Sequence, residues 1–302
     1  MKRIVLYVVA LFIAATPQSI VAQPTNEAKK TKDTAEDVDR DKHSKQAEET
    51  AKKLRRQIEE EIKTLGNHPW AGDYYFGDGM GVNVLLILAP KSGYLFEWHG
   101  CMGLYDRNYG AVTEIKGRLR LSFTFANKPK GFMGIAEQFI PVSWGDRKYL
   151  IPADDVVGFC NAMNGGREPR KKVHGFYLLR FADEKKEAKG LPLLPQEFKP
   201  YLLTRPIVAD IVGVGRYTSP SGNDWKLKGT PVTLNCGKKQ GLLAGMEMHV
   251  VKPDDIIGPV TVTKVEEERS EAIVAQSSEK EARPQVRWQL STRCPWYSTT
   301  PP

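Results

Sequence analysis

Apolar residues along this chain follow two rhythms. Ala47, Ala51, Leu54, Ile58, Ile62 and Leu65 recur at steps of three and four, with charged residues between them. That spacing predicts an amphipathic helix over residues 46–66, stopped by Gly66 and Asn67. The stripe is shorter than three heptads, which favours a helix docked on the following domain over a dimerising coiled coil. From Trp70 onward the rhythm changes to short aromatic and β-branched runs punctuated by Gly, Pro, Asn and Asp. These predict strands at 73–76, 82–88, 94–98, 111–115, 118–125, 138–143, 148–151 and 176–181. One helix interrupts them at 156–163, with Asp154 or Asp155 as its cap and Asn164-Gly165-Gly166 as its stop. So many short strands in succession imply a meander closed, or nearly closed, into a barrel. A second set, at 207–214, 232–236, 247–251, 260–265, 272–275 and 286–290, implies another small barrel. Between the sets, Pro192, Pro195, Pro200 and Pro206 mark a semi-rigid connector. The expected fold class is therefore mainly β: two small β-barrel or barrel-like domains, an amphipathic helix in front, and one short helix inserted in the first.

The N-terminus adds a destination. Lys2 and Arg3 precede the apolar run Ile4 to Ala15, and Ala22 ends a short segment of small residues. This is the pattern of a secretory signal peptide over residues 1–22, too short in its apolar part to span a bilayer. An uncleaved anchor is the alternative. Cleavage takes the formal charge from +8 to +6, because residues 1–22 carry no charge other than Lys2 and Arg3. The expected protein is exported, periplasmic or extracellular, and not integral to the membrane once cleaved. Mild basicity suits envelope proteins or anionic polymers as partners, and export disfavours nucleic acid. The remaining expected boundaries are a disordered polar linker at 23–45, a first β-domain at 67–188, the connector at 189–206, a second barrel at 207–294 and a flexible tail at 295–302.

Export also changes the meaning of the four cysteines, which in an oxidising compartment suggest disulfides. One per domain is expected, Cys101–Cys160 and Cys236–Cys294. There is no C-x-x-C pair, so neither a zinc knuckle nor a thioredoxin-type site is expected.

Few segments suggest chemistry. Gly77, Gly79 and Gly81 surround Asp78, but an apolar strand follows them where a phosphate cradle needs a helix. Too few oxygen ligands accompany them for a calcium loop. A hairpin turn accounts for the glycines. Gly237, Gly241 and Gly245 recur every fourth residue, and Lys238, Lys239 and Gln240 exclude a membrane-helix face. His99 and Cys101 show no nucleophile signature, and no hydrolase or metalloprotease motif occurs. No metal site and no cofactor is expected. Two candidate contact surfaces remain. The aromatics Tyr74, Tyr75, Phe76, Tyr94, Phe96 and Trp98 supply either a ligand-binding wall or a packed barrel core. The loop carrying Arg167, Arg170, Lys171 and Lys172 is the densest basic cluster of the globular part, and suits an anionic partner or simply a solvated surface.

Two stretches carry a resemblance. "VSWGDRKYLIPADDVVGFCNAMNGGREPR" (residues 142–170) resembles a pattern in uncharacterised exported bacterial proteins, a WG-x-R-x-YL hairpin followed by an FCNA-x-N helix. "VTLNCGKKQGLLAGMEMHVV" with "GPVTVTKVEEERSEAIV" is loosely similar to small β-barrel modules of envelope and secretion-apparatus proteins. Both imply structure and docking and bring no catalytic residue. The favoured reading is a non-catalytic binding or scaffolding protein of the bacterial cell envelope. Its rivals are a lipocalin-like carrier of a small apolar ligand and a secreted enzyme of unrecognised type.

Overall fold

The computed structural model describes residues 42–77, 81, 83–128, 133–167, 177–219, 228–252, 259–276 and 278–295. The signal peptide, most of the polar linker, most of the Gly77–Gly81 turn and nearly all of the tail fall outside these residues. The described residues, from Lys42 onward, form one compact unit.

The predicted first helix is α1, Lys45–Leu65. Ser44 caps it, its Oγ accepting from Ala47 N at 3.1 Å, and Gly66 ends it at φ 61°. Residues 42–44, expected in the polar linker, thus belong to the folded unit. The Lys42 side chain is only 3 % exposed and donates to Asp106 at 2.9 Å.

The first sheet contains β1 (Gly72–Gly77), β2 (Asn83–Ala89), β3 (Gly93–Gly100), β4 (Gly103–Gly110), β5 (Val112–Ile115), β6 (Arg118–Leu121), β7 (Gln138–Trp144), β8 (Arg147–Pro152) and β9 (Leu178–Arg180). Its order is β4-β3-β2-β1-β9-β8-β7-β6-β5. The two edges approach each other: Ser122 N donates to Ala111 O at 2.9 Å and Thr124 N to Tyr109 O at 3.1 Å. The sheet is therefore a nearly closed barrel.

Alternation decides what each strand face touches. Leu86, Leu88, Tyr94, Phe96, Phe139, Leu150 and Leu178 belong to the interior cluster. Ile140, Val142, Tyr149, Ile151 and Leu179 face outward into a second cluster with Phe159 and Cys160. Burial on both faces explains why β2 reads as a nearly continuous apolar run. The α1 stripe packs against β2 and β3.

The short helix α2, Val156–Asn164, lies between β8 and β9 as predicted. The second barrel closes fully, in the order β10 (Val208–Val214), β11 (Gly229–Leu234), β14 (Ser270–Ala275), β13 (Val260–Val265), β12 (Glu247–Lys252), β15 (Gln289–Ser291).

The two expected disulfides are a correction: none of the four cysteines is in a disulfide. Cys101 stands exposed on the turn after β3, whereas Cys160 is buried in α2. Cys236 packs in the core of the second barrel, and Cys294 is buried beyond β15. The three buried thiols act as small apolar packing groups. Burial pushes the Cys160 thiol up to about 12, which keeps it protonated and unreactive.

Among the described residues, no helix is long and apolar enough to cross a membrane.

Candidate functional site

The six candidate aromatics separate by strand parity. Tyr74 and Phe76 on β1 point inward, as do Tyr94, Phe96 and Trp98 on β3. Tyr75 lies on the opposite face, where its hydroxyl bonds to the Asn83 carboxamide. The inward five then divide by whether they line a cavity. Tyr74 is fully buried and donates to Trp70 O at 2.9 Å. Tyr94 is fully buried too, and its hydroxyl has no hydrogen-bond partner among the described residues. Burial raises both hydroxyls far above the ordinary tyrosine value. Phe76, Phe96 and Trp98 instead line a space, Phe96 with no exposed surface and Trp98 buried as well.

That space is a cavity of about 520 Å³ at one end of the first barrel. Phe76 pairs with Val84 across β1 and β2, and Val84 pairs with Trp98 across β2 and β3. Phe139 and Pro152 face each other across β7 and β8, and Leu178 begins β9. Met133, Gly134, Ile135 and Ala136 fold over this end, and Asp154 and Asp155 stand at its edge.

The segment over the cavity is pinned at two points. Asn127 Nδ2 donates to Ile135 O at 2.8 Å, and Ile135 N returns a bond to Asn127 Oδ1 at 3.0 Å. Gly134 N donates to Asp106 Oδ2 at 2.5 Å. Asp106 is 1 % exposed, and its other oxygen accepts from Lys42. This carboxylate therefore ties together β4, the segment over the cavity and Lys42, three residues ahead of α1.

Asp154 and Asp155 do not play the part the sequence suggests. Asp155 occupies the cap position of α2 but makes no side-chain cap bond. Its Oδ1 folds over the first turn instead, 2.4 Å from where a Cβ on Gly158 would stand, with the Tyr177 hydroxyl 3.2 Å from the same point. Burial, with the Asp155 charge added, raises that tyrosine.

The basic cluster is described only at Arg167, which is half-buried and donates its backbone N–H to Ala162 O at 2.9 Å. Burial and the Arg167 charge together lower the His249 imidazole. Arg170, Lys171 and Lys172 lie outside the described residues.

The WG-x-R-x-YL and FCNA-x-N residues form a joint. Trp144 Nε1 donates to Gly190 O at 2.7 Å and Arg147 Nε to Lys186 O at 2.5 Å. Trp144, Tyr149 and Phe159 stack edge-on or tilted within 6.4 Å. Asn161 reaches the second barrel, donating to Gly245 O at 2.9 Å and accepting from Glu247 N at 3.1 Å. Asn164 holds the connector at Tyr201 O and Leu203 N.

Sequence reading missed β4 and the segment over the cavity. The polar run Asp106-Arg107-Asn108 hid the strand, and 126–136, with its glycines and lysines, shows neither helical nor strand periodicity. Among the described residues no group of three or more His, Cys, Asp or Glu could hold a metal ion. No protein-family model, no curated protein and no solved structure matches this chain. What defines the candidate site is a nearly closed barrel with an aromatic-walled cavity at one end.

Proposed function

We propose that this chain is an exported, non-catalytic binding protein of the bacterial cell envelope whose first barrel carries a small apolar ligand. The observation that carries this reading is the cavity of about 520 Å³ walled by Phe76, Phe96 and Trp98. Ligand pockets fall in the range of about 300–1,000 Å³ and are mostly apolar with a few polar groups. The described wall consists of apolar side chains, Gly134 and two carboxylates, a composition that suits retention of a ligand more than turnover. Export rests on the signal-like N-terminus.

The test is a titration with the neutral fluorophore N-phenyl-1-naphthylamine. The wild-type chain should bind it saturably, one probe per chain. Ala136→Trp, which fills the space from a half-buried position, should weaken binding by about tenfold or more while leaving the circular dichroism unchanged. Absence of saturable binding, or binding indifferent to a folded Ala136→Trp, overturns the reading.

A further inference from the structure

Asp106 and Trp98 pair across β4 and β3, so the carboxylate shares the inner face of the barrel with a ring that lines the cavity. Its Oδ1 accepts from Lys42 Nζ and from Arg107 N, both at 2.9 Å, and its Oδ2 accepts from Gly134 N at 2.5 Å. A buried charge is costly without a counter-charge, and Lys42 supplies it. Lys42 is not part of the barrel. It is the first described residue, three ahead of α1, and 41 residues of chain precede it. Yet its side chain is 3 % exposed, a rare state for lysine. The helix does not need this contact for its cap, which Ser44 provides. Through Asp106 the ammonium acts on Gly134, whose backbone stands at φ 78° in the segment over the cavity. Without the ammonium, a bare carboxylate stands beside apolar rings. It must then draw in water or turn away, and either course frees Gly134. The clasp between Asn127 and Ile135 stays in place, so the segment loosens but does not leave.

We propose that Lys42 is a latch: the chain leading into α1, by inserting or withdrawing this ammonium, sets how fast the first barrel releases its ligand. This inference rests on the carrier reading above and adds its regulation. A partner that pulls on the chain ahead of Ser44 speeds release without touching the cavity.

The test times release of the naphthylamine fluorophore from the loaded full chain by stopped-flow dilution. Lys42→Met should release it about tenfold faster than the wild type, with the circular dichroism unchanged. Adding Asp106→Asn to Lys42→Met should bring release back to within about threefold of the wild type, because a carboxamide oxygen still accepts from Gly134 N and no bare charge remains. Lys42→Gln keeps a donor without the charge. It should accelerate release in part, and it covers the case in which Lys42→Met fails to fold. Arg55→Met removes another ion pair of α1, to Glu97 at 3.0 Å, at a residue that does not line the cavity, and should stay within about twofold of the wild type. Wild-type release from a folded Lys42 variant, equal acceleration by Arg55→Met, or no rescue by Asp106→Asn overturns the latch and leaves the carrier reading standing. If the wild type takes up no fluorophore, both fall.

Discussion

Asp183 has no exposed side-chain surface, yet the structure keeps it charged. Arg180 donates to it at 2.8 and 2.9 Å, Lys186 at 2.7 Å and the backbone N–H of Lys148 at 3.0 Å. Burial alone would raise this carboxyl, but the bonds from Arg180 and Lys186 outweigh it and hold it below the ordinary aspartate value. Glu97 is a parallel case: burial raises it, and Arg107 and Arg55 lower it further than burial lifts it. Groups depressed in the folded state contribute fully above their unfolded-state pKa, about 4. They lose that contribution as the pH falls through their folded values. The expected result is a denaturant midpoint that is flat above about pH 5 and drops steeply below about pH 4. Asp183→Asn leaves Arg180 and Lys186 without their buried counter-charge and should cost about 3 kcal/mol at neutral pH. The same variant should show a shallower acid slope, since one of the titrating groups is gone. Unchanged slopes in paired urea melts at pH 3 and pH 7 would refute this account.

At the scale of elements, β4 determines whether the first sheet becomes a barrel. Asn108 is fully buried; its Oδ1 accepts from the N–H groups of Thr124 at 3.1 Å and Phe125 at 3.2 Å, and its Nδ2 donates to Phe125 O at 3.0 Å. Beside it, a Cβ on Gly110 would stand 1.9 Å from the Ser122 carbonyl oxygen. Only glycine lets the two edges come this close. Gly110→Val should part the seam, destabilise the protein by about 3 kcal/mol and release the naphthylamine fluorophore, because the cavity loses its closed wall. A stable Gly110→Val protein that keeps wild-type binding would show the seam to be dispensable. The same strand marks where sequence reading stopped. Strands buried on both faces announce themselves through apolar runs, as in β2 and β7. Asp106, Arg107 and Asn108 look like loop residues until Lys42, Glu97 and the 124–125 backbone are brought to them by tertiary structure.

For the whole molecule, the order of parts was legible because helical and strand periodicities differ locally: a helix, a β-set with an inserted helix, a connector and a second β-set. Cysteine pairing was not, because the separation of two thiols depends on the finished fold. The roles of the two asparagines in FCNA-x-N were equally hidden, since each bonds to backbone far away in sequence. These contacts determine whether the two barrels unfold as one. Asn161 makes two bonds to the start of β12, and Cys294 N donates to Gly165 O at 3.1 Å on the same side. Asn161 is 6 % exposed, so removing its carboxamide takes partners from the half-buried Gly245 carbonyl and Glu247 N–H. Asn161→Ala should therefore cost about 2 kcal/mol, and its effect should fall on the coupling between the barrels more than on either core. The expected signature is a calorimetric transition that is single in the wild type and resolves into two in the variant. Hydrogen exchange at Glu247 should accelerate, while exchange in β2 and β3 stays unchanged. If the variant melts in one transition with uniformly faster exchange, the barrels are coupled through the Pro-rich connector instead, and Asn164→Ala at Tyr201 and Leu203 becomes the variant that separates them.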